Sequence, residues 1–270
     1  MTLSTKPLGL LGWSPELEPL WLALSSEQRQ NVRGYALEAA PAFPPEVQQV
    51  GQVEALFAQA EVIWVGAPPH LAEQWLHPAR LAIAERHLLL LPGAGWHLPQ
   101  LLQQLPERKL VRVLLGTTPA PSGHAGPTLP WLVYAPTPYL TPQDEQTVQQ
   151  LLGSAPALQA QRLPSEKAMN AALGLAQLAP IALLTAMEAL VDSGFIEGLP
   201  RDTARLLTAR LLHQTTGQMT QAPDVGPLRE AALANPAGAE GLLTLETQGF
   251  RGILMKALRA CVAFLRQQEK

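Results

Sequence analysis

The 270-residue chain has one cysteine, Cys261, which excludes an intramolecular disulfide and a multi-cysteine metal site and suits a reducing compartment. Charge is scarce too: 15% of residues are charged and the formal net charge is -3, so there is no electrostatic footprint for nucleic acid or an anionic membrane. The N-terminus lacks the basic start, long apolar run and small-residue cleavage site of a secretory signal, and the expectation is a cytoplasmic protein. Heptads and internal repeats are missing, and the 26 prolines are scattered rather than tracted. So are the G-x-S-x-G elbow, the Walker loop and H-E-x-x-H. His70 and His77 would share one helix face, but no carboxylate or cysteine stands at ligand spacing, and no metal is expected. Aromatics make up only 5% of the chain, and all six Trp and all three Tyr precede Leu140.

Two compositional regimes are present. Up to about residue 162, short apolar runs alternate with helical spacing. Leu8–Leu11 ends in Gly12 and leads into helical spacing over Pro15–Leu24. Further strand patterns fall at Asn31–Leu37, Glu61–Val65, His87–Leu91, Lys109–Leu115, Trp131–Tyr134 and Ala157–Arg162, with helical patterns at Val53–Ala58, His70–Arg86, Leu98–Leu105 and Pro142–Leu152. Alternation on this scale predicts an α/β domain with a largely parallel sheet. Strand, tight glycine turn and helix at the start form the opening of a dinucleotide-binding unit. Trp64 and Trp96 are expected in the core.

Beyond Leu163 the chain is rich in Ala, Leu and Gln and reads as helix throughout. The apolar residues of Leu173–Leu190 cover nearly every face of a helix, which must therefore be buried on all sides. Gln177, Pro180 and Glu188 interrupt the run, which argues against a membrane span. Because proline is best tolerated in a first turn, one helix is predicted to end near Gly174 and another to start at Pro180, with Leu175–Ala179 as a loop between them. Gly198-Leu199-Pro200 restarts the chain into a helix over Arg201–Gln221, followed by Val225–Ala234, Gly238–Gln248 and Phe250–Gln268. The expected architecture is an α/β Rossmann-like N-terminal domain, residues 1–162, followed by an all-α C-terminal dimerisation domain, residues 163–270. So apolar a helical domain is expected to bury its surface against a second copy of itself.

Several segments resemble the pyrroline-5-carboxylate reductase family. Glu166, Lys167, Met169, Asn170, Ala171, Gly174, Leu175 and Pro180 fall, ungapped, where that family shows E-K-x-M-D-A...G-L...P. Glu188-Ala189-Leu190-Val191-Asp192-Ser193-Gly194 and Gly198-Leu199-Pro200-Arg201-Asp202 are similar to its E-A-L-x-D-A-G and G-L-P-R-D. Asn235-Pro236-Ala237-Gly238 and Gln248-Gly249-Phe250-Arg251 look like its S-P-G-G and G-G-F-R, and Val111, Arg112 and Thr118-Pro119-Ala120 like its V-R-x-M-P-N-T-P-A. The resemblance implies a two-domain subunit, an intertwined helical homodimer, and NADPH-dependent reduction of a cyclic imine to proline. It puts a nicotinamide cofactor, NADP(H) or NAD(H), against Gly12, Trp13, Ser14, Ala67, Pro68, Thr118 and Pro119, and the substrate near Glu166, Gln177, Ala179, Pro180, Asn235 and Gly238.

Three ligand loops depart from the family pattern. In the dinucleotide fingerprint G-x-G-x-x-G the positions are Gly12, Ser14 and Leu17, so only the turn glycine remains. Pro15 deletes a backbone N–H, and Glu16 and Glu18 place negative charge at the start of the helix, where an anion would sit. Trp13 lies inside the turn, either filling the vacant site or simply packing. The family's S-G-S-G-P, which seats a substrate carboxylate on hydroxyls and free backbone N–H groups, reads Ala176-Gln177-Leu178-Ala179-Pro180. Its S-P-G-G-T-T reads Asn235-Pro236-Ala237-Gly238-Ala239-Glu240, with Glu240 either towards the substrate or in solvent. The positions that should carry catalytic hydroxyls are thus Ala176, Leu178 and Ala239. The coordinated loss predicts a dimeric binding or regulatory protein, in which a small-molecule ligand at the dimer cleft is a further expectation. The alternative is an active NAD(P)H-dependent reductase of pyrroline-5-carboxylate or a related imine.

Overall fold

A computed structural model of the chain describes residues 7–14, 17–36, 42–66, 79–93, 95–116, 131–153, 160–222 and 224–268. Two compact units divide at Leu173 and Gly174. The first is built on an eight-stranded sheet of order β3-β2-β1-β4-β5-β6-β7-β8. Its strands are β1 (Leu8–Leu11), β2 (Val32–Tyr35), β3 (Gln48–Gln49), β4 (Val62–Val65), β5 (Leu88–Pro92), β6 (Lys109–Gly116), β7 (Trp131–Pro136) and β8 (Gln161–Arg162). All neighbours pair parallel except β6 and β7. β5 is buried at all five residues, as a strand covered on both faces must be.

Helices α1 (Glu18–Ala23), α2 (Ser26–Gln30), α3 (Val53–Gln59), α4 (Leu98–Gln104) and α5 (Pro142–Leu152) accompany the sheet. Two apolar cores result. Leu11, Leu56, Phe57, Ile63, Leu89 and Trp96 belong to one, and Leu10, Leu17, Trp21, Trp64, Val111 and Val113 to the other, so alternate residues of β1, β4 and β6 feed opposite faces. Trp64 and Trp96 are core residues, as expected, and the Trp96 indole N–H donates to Pro92 O at 2.9 Å. α2 was not foreseen. Its signal is the capping box in which Ser25 Oγ accepts from Gln28 N while Gln28 Oε1 accepts from Ser25 N.

The second half is helical as predicted: α6 (Glu166–Ile196), α7 (Arg201–Gln221), α8 (Gly226–Leu233), α9 (Pro236–Thr247) and α10 (Phe250–Gln268). One prediction fails. Leu175–Ala179 is not a loop, and Gln177, Ala179 and Pro180 lie inside the unbroken 31-residue α6. Proline in a helix interior costs about 3 kcal/mol, because it removes the hydrogen bond to the carbonyl four residues back. Against this, Ala-Gln-Leu-Ala in place of the family's Ser-Gly-Ser-Gly improves intrinsic helix propensity by about 2–3 kcal/mol, most of it from the two glycines. The terms nearly cancel, and the helix continues through the proline.

α6 and α10 meet closely at Gly174, where a Cβ would stand 2.6 Å from Val262 Cγ2. Within the second unit Ala204 is the only hydrophobic residue that is buried, among the described residues of this single chain. Leu175, Ile181, Leu184 and Phe195 of α6 are each more than half exposed, so one chain does not supply the burial that the apolar run demands. α6 is also long and apolar enough, by length and composition, to cross a membrane.

Candidate functional site

In a doubly wound sheet, ligands bind beyond the carboxyl ends of the strands where the strand order reverses. Here that point lies between β1 and β4. Gly12 turns the chain at the end of β1 with φ of 77°, and its N–H donates to Tyr35 O at the end of β2 (2.8 Å). Only glycine adopts such a φ at little cost. Gly66, just beyond β4, donates its N–H to Leu11 O at 2.9 Å. A Cβ on Gly66 would lie 2.5 Å from Gly12 O and 2.6 Å from Leu17 Cδ1.

Leu17 is wholly buried and holds the position of the third fingerprint glycine. Its side chain therefore fills space that a close strand–helix approach leaves to backbone, and its N–H is committed to Ser14 O at 3.0 Å. Trp13 is half-buried, edge-on to Trp21 with ring centroids 5.9 Å apart, so of the two readings of this residue the packing one describes its contacts. α1 has six residues with Glu18 in its first turn, which makes a weak dipole carrying an acidic side chain where a pyrophosphate needs a positive end. The residues at this turn do not fit a dinucleotide in the ordinary pose. Ala67, Pro68, Thr118 and Pro119, and likewise Pro15, Glu16, His70 and His77, lie outside the described residues.

Glu166, the first residue of α6, is hydrogen-bonded and ion-paired to Arg112 Nη1, which also donates to Asn170 Oδ1 at 3.0 Å. Arg112 has no exposed surface, and its Nε and Nη2 are buried without a partner among the described residues. Removing one member of such a pair would strand a buried charge, so the cluster ties the start of α6 to the middle of β6. The sequence signal was an arginine inside an otherwise apolar strand, Leu110-Val111-Arg112-Val113-Leu114.

In the second unit the substrate-loop positions offer little to an anion. Within α6 the backbone N–H groups of residues 176–179 belong to the helix ladder, and Pro180 has none. Cys261 Sγ lies 3.7 Å from Gly174 O and 3.9 Å from Gln177 Oε1, at the weak limit of thiol hydrogen bonding. Asn235 caps α9, its Oδ1 accepting from Ala237 N at 3.0 Å. Ala239 and Glu240 are exposed in the single chain, and a Cβ at Gly238 would only touch Ala232 O at 3.4 Å. Among the described residues no group of three His, Cys, Asp or Glu side chains is arranged to hold a metal.

A sheet of this order followed by an all-helical unit defines a two-unit protein with a Rossmann-type sheet. The sequence model described as pyrroline-5-carboxylate reductase dimerisation matches residues 166–268. The pyrroline-5-carboxylate reductase of Glycine max is 28% identical over 205 residues, covering 75% of this chain and 71% of that protein. Pyrroline-5-carboxylate reductase 2 of Rattus norvegicus is 26% identical over 207 residues, covering 74% and 62%. Among solved structures, a Coxiella burnetii pyrroline-5-carboxylate reductase has a TM-score of 0.76 at 16% identity, covering 99% of this chain and 100% of that one. The Plasmodium falciparum pyrroline carboxylate reductase with NADP bound has a TM-score of 0.69 at 19% identity, with both chains fully covered. The helical half thus matches the pyrroline-5-carboxylate reductase dimerisation sequence, and about three quarters of the chain is similar to enzymes of that family.

Proposed function

We propose that this chain is a cytoplasmic homodimer of the family fold that has lost ordinary reductase chemistry and acts as a binding or regulatory protein. The observation that carries this reading is the unbroken α6. A carboxylate seat needs free backbone N–H groups at a helix start, and at residues 176–180 those groups are consumed by the ladder or missing. The filled turn at Leu17 and Gly66 supports the same reading on the cofactor side.

The test is twofold. Titration of the purified protein with NADPH and NADH, followed by tryptophan fluorescence and calorimetry, is expected to give no saturable signal. Incubation with pyrroline-5-carboxylate and either cofactor is expected to yield no proline above the uncatalysed rate. Proline formation at a rate comparable to an intact family member refutes the proposal.

A second reading, a reductase of pyrroline-5-carboxylate or a related cyclic imine, is favoured by the preserved Gly12 turn and by relatives that are reductases. Hydride transfer needs chiefly the cofactor and imine carbon held in reacting geometry. Micromolar saturable quenching by NADPH or NADH would establish this reading over the first.

A further inference from the structure

The N-terminal ends of the strands carry a concavity of ≈ 460 Å³, at the opposite edge of the sheet from the β1–β4 crevice. Its floor is apolar, formed by the first residues of β1, β4 and β5 (Leu8, Val62, Leu88) and by Leu151 of α5. One wall is a face of α5, with Gln143 and Thr147 one turn apart. The other carries Gln28 of α2 and the following Asn31. The Thr147 hydroxyl donates to Gln143 O at 3.0 Å, and Gln28 Oε1 accepts from Ser25 N. Towards a ligand the Thr147 oxygen therefore accepts, the Gln28 amide donates and the Gln143 carboxamide does both, which suits an edge with alternating donors and acceptors.

The charges on the lining balance. Lys109 is bound to Asp144 at 2.8 Å, and Arg86 and Glu61 add one of each sign. Burial alone would raise the Asp144 carboxyl, but hydrogen bonds from Lys109 and Thr141 and the charge of Lys109 more than offset it and hold it below its ordinary range. A carboxylate thus occupies the N-terminus of α5, where a phosphate would otherwise be drawn, and repels a second anion. A concave site with an apolar floor and a few polar groups is the usual form of a small-molecule pocket, and this volume exceeds what a single small amino acid fills.

We propose that this cavity binds an uncharged nucleoside, its base lying on the Leu8–Val62–Leu88 floor with its hydrogen-bonding edge towards Gln143 and Thr147. The proposal does not rest on the loss of reductase activity, because the strand ends involved are not those of the crevice. Calorimetric titration of the full chain with adenosine, with adenosine monophosphate and proline as comparison probes, tests it. Adenosine is expected to bind with a dissociation constant of about 1 mM or tighter. Thr147→Trp, which fills the cavity, should abolish binding, and the exposed Gln143→Ala should weaken it by roughly fivefold or more with thermal unfolding unchanged. Absence of adenosine binding overturns the proposal. So does adenosine affinity untouched in both variants, which would place the ligand elsewhere, and so does tighter binding of the monophosphate or of proline, which would make the site one for charged ligands.

Discussion

His87 is wholly buried, with Nδ1 accepting from the Ala84 N–H at 2.8 Å and Nε2 2.8 Å from Phe57 O. That pattern requires the neutral ring with its proton on Nε2. Desolvation by burial lowers its pKa from the ordinary 6.5, only partly countered by the Phe57 carbonyl. Since the unfolded chain then binds the proton more readily, His87 contributes stability in full above pH 6.5 and loses it as pH falls from there towards the folded value. Denaturant unfolding from neutrality down to pH 5 should show this loss, and His87→Gln should flatten the profile. An unchanged slope in the variant would assign the pH dependence elsewhere. At Gly66 the neighbour of an added Cβ is backbone, Gly12 O at 2.5 Å, which cannot swing away. Gly66→Ala is therefore expected to destabilise the first unit by about 1–3 kcal/mol, read as a lower denaturation midpoint with unchanged slope. The leucine at position 17 was visible in the sequence as a missing glycine. That its side chain reaches Gly66 was not, because the two are 49 positions apart and meet only through the β1–β4 pairing.

Helix α6 is where local signals conflicted. Proline argued for a stop and its neighbours for continuation, and the two sides differ by less than the few kcal/mol that tertiary context contributes. Continuity has a direct readout: amide hydrogens of residues 176–179 should be protected from exchange like their neighbours, whereas a loop would exchange orders of magnitude faster. Restoring Ser-Gly-Ser-Gly at 176–179 should abolish that protection without unfolding the first unit. Strands β1, β4, β5, β6 and β7 were legible because each is a largely apolar run, down to Glu61–Val65 against the observed Val62–Val65. Of the final predicted strand, Ala157–Arg162, the described residues form β8 at Gln161–Arg162, and residues 157–159 lie outside the described part of the chain. At the start of α5, where Thr141 and Asp144 form a capping box, sequence and structure agree on the starting residue, Pro142.

For the whole molecule, a helical unit whose large apolar residues face outward calls for a partner, and a second copy satisfies a matched dimerisation sequence most simply. Sedimentation should give a species of twice the 29.1 kDa chain, and the unfolding midpoint should rise with protein concentration. Leu184→Glu, at a position 61% exposed in one chain, should shift the population to monomer; a dimer unaffected by it would put the interface on another face. The sequence by itself determined the alternation of the main strands and helices, the division into a strand-bearing half and a helical half, the Gly12 turn and the excess of apolar helix surface. These are properties of periodicity and local backbone preference, which a few neighbouring residues settle. The tertiary structure decided the rest: that Leu17 packs beside Gly66, that Arg112 engages Glu166 54 positions away, and that α6 runs through Pro180. The first two depend on which distant residues the sheet brings together, and the third on a near-cancellation of local terms that only the surrounding structure resolves.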